Sequence, residues 1–161
     1  MKILVLGLGN ELLSDDGAGI WAARRLRDVL VGQDGGEVTV VESAMSGVAL
    51  LELFIGYDRA VIVDAIQTGA RSPGSIVELS ARDLAAVVAP SPHYAGLPEL
   101  LALARQLHLK FPREIRILAV EAGDLQTIGG PVSSGVEKAL PELVQRVLTL
   151  IASWKKVSAR A

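Results

Sequence analysis

The sequence predicts an α/β fold built on a parallel sheet covered on both faces. Three observations lead there. Residues 3–8, 60–63 and 115–120 are short aliphatic runs without polar alternation, the pattern of strands buried on both sides. Between them lie segments whose apolar residues recur at helical spacing. The two kinds of segment alternate from the start of the chain and give βαβαβ over the first 64 residues.

The first run, 3–8, is the expected central strand, too short for a signal peptide and ending in Gly7-Leu8-Gly9-Asn10 rather than a cleavage site. A helix is expected over 16–30, where Gly19, Ala22, Ala23, Leu26, Val29 and Leu30 share a face and Gly32 ends it. Residues 38–41 read as the second strand, Val48, Leu51, Phe54 and Ile55 mark a second helix, and 60–63 is the third strand, ending in Asp64. Ser72-Pro73-Gly74 is a turn signal, 75–79 a further strand that can run antiparallel, and 82–88 a short helix. Residues 89–93 form a loop, because each proline restrains itself and the residue before it. A helix over 97–107, a strand over 115–120 and a long amphipathic helix over 134–154 complete five strands and their connections. Ser134 and Glu137 are spaced as a capping box, and Pro141 is expected to bend this last helix or mark its effective start.

A chain of 161 residues, half of them apolar, is expected to form a single domain over 1–154, with 155–161 a frayed tail. Charged residues make up 21% and the net charge is −2, so no strong field steers the protein toward nucleic acid or an anionic membrane. No apolar stretch reaches the roughly 18 residues of a membrane span. A cytoplasmic monomer that recognises its partner through local contacts is expected. The absence of cysteine excludes disulfides, thiolate metal sites and a cysteine nucleophile. A metal here is held by carboxylate, imidazole or backbone oxygen.

Functional groups in an open α/β sheet gather beyond the carboxyl ends of the strands, and three loops reach that edge. The first, residues 7–19, carries Asp15 and Asp16 where they either cap the following helix or supply ligands. The second carries Asp64, held at the end of a rigid strand, as a ligand or as a brace for the next turn. The third carries His93 after two prolines, either an exposed or hydrogen-bonded loop residue or a ligand. His108 is explained by its place at a helix C-terminus. Two carboxylates and one imidazole suit a borderline divalent ion with coordination positions left open. The chain has no His-Glu-x-x-His, so it is not a zincin of that pattern.

At these residues the sequence resembles the hydrogenase maturation endopeptidases, which trim the precursor of the nickel-iron hydrogenase large subunit after nickel insertion. The likeness rests on Ile-Leu-Val-Leu-Gly-Leu-Gly-Asn at 3–10, Leu-Leu-Ser-Asp-Asp-Gly-Ala-Gly at 12–19, Val-Ile-Val-Asp-Ala-Ile at 61–66 and Ser-Pro-His-Tyr-Ala-Gly-Leu at 91–97. It implies a three-layer α/β/α sandwich with a five-stranded, mostly parallel mixed sheet. It also implies that Asp16, Asp64 and His93 are the metal ligands, that the metal is nickel brought by the hydrogenase precursor, and that a C-terminal peptide is then removed. Another divalent ion is expected to occupy the site in vitro. No cleavage residue or general base is assigned by the resemblance. Asn10 is expected to shape the first loop or touch substrate, Asp15 to cap or support, and the acids of Glu121-Ala122-Gly123-Asp124 to line a groove for a protein substrate.

Two readings compete. A nucleotide-binding module is suggested by Gly7-x-Gly9 and Glu42, but Leu12 replaces the third glycine and Asp15-Asp16 oppose a pyrophosphate. A noncatalytic metal-dependent chaperone would use the same triad to hold a precursor without cutting it.

Overall fold

Parity along the strands decides the architecture. The computed structural model describes residues 1–32, 35–80, 93 and 97–159. In chain order its elements are β1 (Ile3–Leu8), α1 (Ala18–Leu30), β2 (Val38–Ser43), α2 (Leu51–Phe54), β3 (Arg59–Ile66), β4 (Ile76–Ser80), α3 (Leu97–Gln106), β5 (Glu114–Glu121) and α4 (Ser134–Ser158). Ile3, Val5, Val61, Val63, Leu118 and Val120 point to one side of the sheet and pack against α1 and α4. Their neighbours Leu4, Leu6, Ala60, Ile62, Ile117 and Ala119 point to the other, against α2 and α3. The central strands are therefore apolar at nearly every position, which is why they show no polar alternation.

The five strands lie in the order β2-β1-β3-β5-β4. The first four in that order are parallel, and β4 runs antiparallel to β5 at the edge. This is the three-layer α/β/α sandwich with a mixed sheet that the resemblance implied. Among the described residues no helix is long and apolar enough to cross a membrane.

Several boundaries differ from those read in the sequence. The second helix is one 3-10 turn (Gly47–Leu50) and a single turn of α2, and Val48 is exposed rather than on its buried face. β3 continues two residues past Asp64, because Asp64, Ala65 and Ile66 pair with Ala119, Val120 and Glu121 of β5. No capping box forms on Ser134: the residue before α4 is Ser133, whose side chain makes no capping bond, and its carbonyl accepts the N–H of Glu137 at 3.0 Å. Pro141 does not start α4, which runs through it and on to Ser158, four residues beyond the expected end at Trp154. Its buried stripe from Val136 to Trp154 holds it to the sheet across the proline. The helix expected over 82–88 and the loop over 89–92 lie outside the described residues.

Candidate metal centre

β1 delivers the chain to Gly9, at φ 143°, where an added Cβ would fall on the carbonyl oxygen of Asp16. The loop then closes on itself: Leu12 N–H donates to Asn10 Oδ1 at 3.0 Å and Leu13 N–H to the Asn10 carbonyl at 3.0 Å. Asn10 is thus a turn former. A 3-10 turn (Ser14–Gly17) carries both aspartates into α1. Gly19 lies against the carbonyls of Leu8 and Val63, with no room for a side chain. The head of α1 therefore sits directly on β1 and β3, and the turn hangs over their carboxyl ends.

The adjacent aspartates diverge. Asp15 is fully buried and turns toward the β5–α4 connection, where Oδ2 accepts the N–H groups of Gly123 at 2.8 Å and Asp124 at 3.1 Å, and Oδ1 that of Ser133 at 2.6 Å. Its charge stands at the positive end of α4, not of α1. Neither carboxylate makes a side-chain cap on α1. Asp16 turns the other way, accepts the N–H of Asn10 on Oδ2 at 2.8 Å, and brings that oxygen to 3.8 Å from Nε2 of His93.

Asp64, completely buried within β3, shares its parity with Ile62 and Ile66 and faces the α2/α3 side. One of its oxygens accepts the N–H of Ala65 at 2.8 Å. His93 arrives from that same side and is 7% exposed, so it is no surface loop residue. Its Nδ1 lies 3.3 Å from the Met45 carbonyl on the β2–α2 connection. A proton on Nδ1 donated to that carbonyl leaves Nε2 to present its lone pair toward Asp16, the usual arrangement of a ligating histidine. One atom from each of Asp16, Asp64 and His93 lies within 4.8 Å of the others.

Asp16, and more weakly Asp64, hold the His93 imidazole above its ordinary pKa against the opposing effect of burial. A proton is thus favoured where positive charge balances two carboxylates. The donor set also fits a divalent ion. Bonds of about 2.1 Å place neighbouring donors about 3.0 Å apart in an octahedron and about 3.4 Å in a tetrahedron. The 3.8 Å between Asp16 and His93, and the 4.8 Å within which all three donors lie, exceed those values, so the side chains would have to draw inward around an ion.

The surrounding acids have other work. Glu121 is buried and accepts the N–H groups of Thr68 and Gly69 and the Thr68 hydroxyl, each at 2.8 Å, so it braces a loop instead of lining a groove. Asp124, its pKa lowered by Thr127 and by backbone N–H groups, closes its own turn. Glu42 pairs with Arg24 at 3.0 Å and Arg27 at 2.8 Å, and Arg24 with Glu11 at 2.7 Å. The Asn10 N–H that a phosphate would need is already bonded to Asp16, which removes the nucleotide reading. His108, at φ 52°, ends α3 as a left-handed residue: its N–H reaches Arg105 O at 3.1 Å and that of Leu109 reaches Ala104 O at 3.0 Å. The Met45 carbonyl and the bonds of Asp15 were not legible in the sequence. A carbonyl leaves no side-chain signature, and nothing in Asp15-Asp16 says which acid turns inward.

Fold and site define a class: an α/β/α protein with oxygen and nitrogen donors gathered at the carboxyl edge of a mostly parallel sheet. Residues 24–150 match the family model described as hydrogenase maturation protease, and the chain belongs to that family. It is accordingly an endopeptidase of hydrogenase maturation. Hydrogenase 2 maturation protease of Escherichia coli K12 is 28% identical over 153 residues, covering 94% of this chain and 91% of its own. Hydrogenase expression/formation protein HupD of Rhizobium leguminosarum is 26% identical, covering 95% of this chain and 75% of its own. Among solved structures, the hydrogenase maturating endopeptidase HybD of E. coli superposes with a TM-score of 0.79 at 26% identity, covering 95% and 93% of the two chains. The [NiFe] hydrogenase maturation protease HybD of Thermococcus kodakarensis does so with a TM-score of 0.69 at 31% identity, covering 93% and 99%.

Proposed function

We propose that this protease removes a C-terminal peptide from the nickel-loaded precursor of a nickel-iron hydrogenase large subunit, and that Asp16, Asp64 and His93 read the nickel. The observation that carries the reading is the convergence of two carboxylates and an imidazole, from three separate parts of the chain, within 4.8 Å. Such a set adds oxygen and nitrogen ligands to an ion that the precursor already holds in part, so docking depends on completed metal loading. The nickel is then part of the substrate. Asp16 and His93 keep only 7% exposure each, so the ion is offered on a segment that projects toward the recess. Once docked, nickel supplies a Lewis acid beside carboxylates able to accept a proton. We place the reaction in the cytoplasm.

The test mixes the purified protein with nickel-loaded and nickel-free precursor and follows precursor mass. Loss of the C-terminal peptide is expected from the loaded form alone. His93→Ala and Asp64→Asn are expected to abolish the loss while leaving circular dichroism unchanged. Equal cleavage of both forms would remove nickel from the account, and binding without cleavage would assign a holding role instead.

A further inference from the structure

Nine large apolar side chains are exposed among the described residues, and four of them, Leu12, Met45, Val48 and Ile128, sit on the loops that carry or brace the triad. Leu12 follows two residues after Asn10, whose N–H holds Asp16. Leu13 and Ile128 form an isolated antiparallel bridge, and Gly129 N–H donates to the Leu12 carbonyl at 2.8 Å. The first loop and the β5–α4 connection thus make one ridge, with Leu12 65% and Ile128 81% exposed. Opposite it, the carbonyl of Met45 meets His93, and Val48 follows in the next 3-10 turn. The ridge adjoins the α1/α4 layer through Leu125 and Val132, whereas the Met45–Val48 connection leads through Leu50 into the α2/α3 layer. The two apolar walls therefore stand on either side of the metal-binding recess.

We propose that Leu12, Ile128, Met45 and Val48 form the rim against which the precursor seats an apolar, uncharged stretch of chain flanking its metal. The inference rests on the function proposed above and names the chemistry of its substrate. An ion that the precursor already ligates reaches recessed donors only with precursor atoms crowding the mouth, so whatever brings the ion covers these four side chains. Charge fixes the character of the contact. Residues 43–51 and 125–136 contain no charged side chain. The acids inside the recess are matched by the metal, and among the described residues the charge next to the rim, Glu11 beside Leu12, is already paired with Arg24 at 2.7 Å. Apolar side chains left this exposed at the edge of a site are the kind that supply binding energy when a partner removes them from water.

The experiment measures KM and kcat for cleavage of nickel-loaded precursor by the wild type and by Leu12→Asp and Ile128→Asp. Val157→Asp is the control, an exposed apolar position about 35 Å along α4 from its site end. Each rim substitution is expected to raise KM about tenfold or more, with kcat within about twofold, because the lost contact is equal in ground and transition states. The wild-type KM is expected to change little between about 0.1 and 0.5 M salt, as an uncharged contact requires. Circular dichroism checks folding, and Leu12→Ser with Ile128→Ser repeats the test without adding charge. Unchanged KM in all rim variants, with normal wild-type cleavage, overturns the rim and leaves the protease reading intact. Failure of the wild type to cleave loaded precursor sinks both. A wild-type dimer in sedimentation that the rim variants dissolve without a change in KM assigns the surface to a second copy and overturns the proposal.

Discussion

Asp15→Asn is expected to weaken the fold far more than Asp16→Asn, although the two carboxylates are neighbours and both are buried. Asp15 accepts three backbone N–H groups, at 2.8, 3.1 and 2.6 Å, on its two oxygens. An amide keeps one acceptor, so its best orientation serves Gly123 and Asp124 and turns an NH2 toward the N–H of Ser133. One charge-assisted bond is lost, at about 1.5–3 kcal/mol, and a buried donor is left without a partner, at about 1–3 kcal/mol. Removing the negative charge from the head of α4 adds about 0.3–1 kcal/mol. A combined loss of about 3–7 kcal/mol is a large share of the roughly 5–15 kcal/mol that holds such a domain together. The melting temperature should fall by roughly 6–28 °C. Asp16 accepts the backbone N–H of Asn10, a bond that an amide oxygen can keep, so its change should stay within about 1 kcal/mol. Thermal and urea unfolding followed by circular dichroism measure both. Wild-type stability in Asp15→Asn, or a lower midpoint in Asp16→Asn, would refute the division of roles.

Two further expectations follow from the same loops. Gly9→Ala meets a positive φ and the carbonyl of Asp16 together, and should cost about 2–4 kcal/mol. Gly32→Ala, with positive φ but open space, should cost only about 1 kcal/mol in the same melts, and equal losses would remove the steric argument. His93 has a folded pKa raised by Asp16 and Asp64, so its protonation stabilises the metal-free fold fully below the unfolded value of about 6.5 and loses that effect as pH rises through the folded value. The stability gap between wild type and His93→Gln should therefore narrow with rising pH across that window. A gap that widens contradicts the ion pair.

The layers were legible in the sequence because burial on both faces removes polar alternation: 3–8 matches β1 residue for residue. Shorter elements were less so. Val48, Leu51, Phe54 and Ile55 have helical spacing, yet only Phe54 of the four is fully buried, and four such residues specify a helix only if a longer apolar face must be covered. Asp64 read as a strand end because the aliphatic run stops at Val63. The backbone pairing continues regardless, since ladder bonds do not depend on side-chain polarity. The three loops were legible because each follows an aliphatic strand or carries prolines, but the choice of Asp16 over Asp15 came only from the family resemblance. The burial of the three candidate ligands was not legible, as it arises from Gly19 drawing α1 onto two strands and from a carbonyl at residue 45 receiving His93.

Why a site made of loops can be rigid follows from the acids that do not join it. Loops at a sheet edge are ordinarily its most mobile parts. Here Asp15 ties the first loop to residues 123, 124 and 133, the Ser14 hydroxyl donates to the Pro131 carbonyl at 2.8 Å, and Glu121 grips residues 68 and 69. Each tie satisfies backbone groups that would otherwise demand water. The loop that carries Asp16 is thereby held in place, and under the function proposed above less ordering entropy is lost when a partner presents an ion to it. A flexible triad would close around any dissolved cation. One held by its scaffold favours an ion delivered in the right place and orientation, which is the discrimination a protease needs if it is to act only on a loaded precursor.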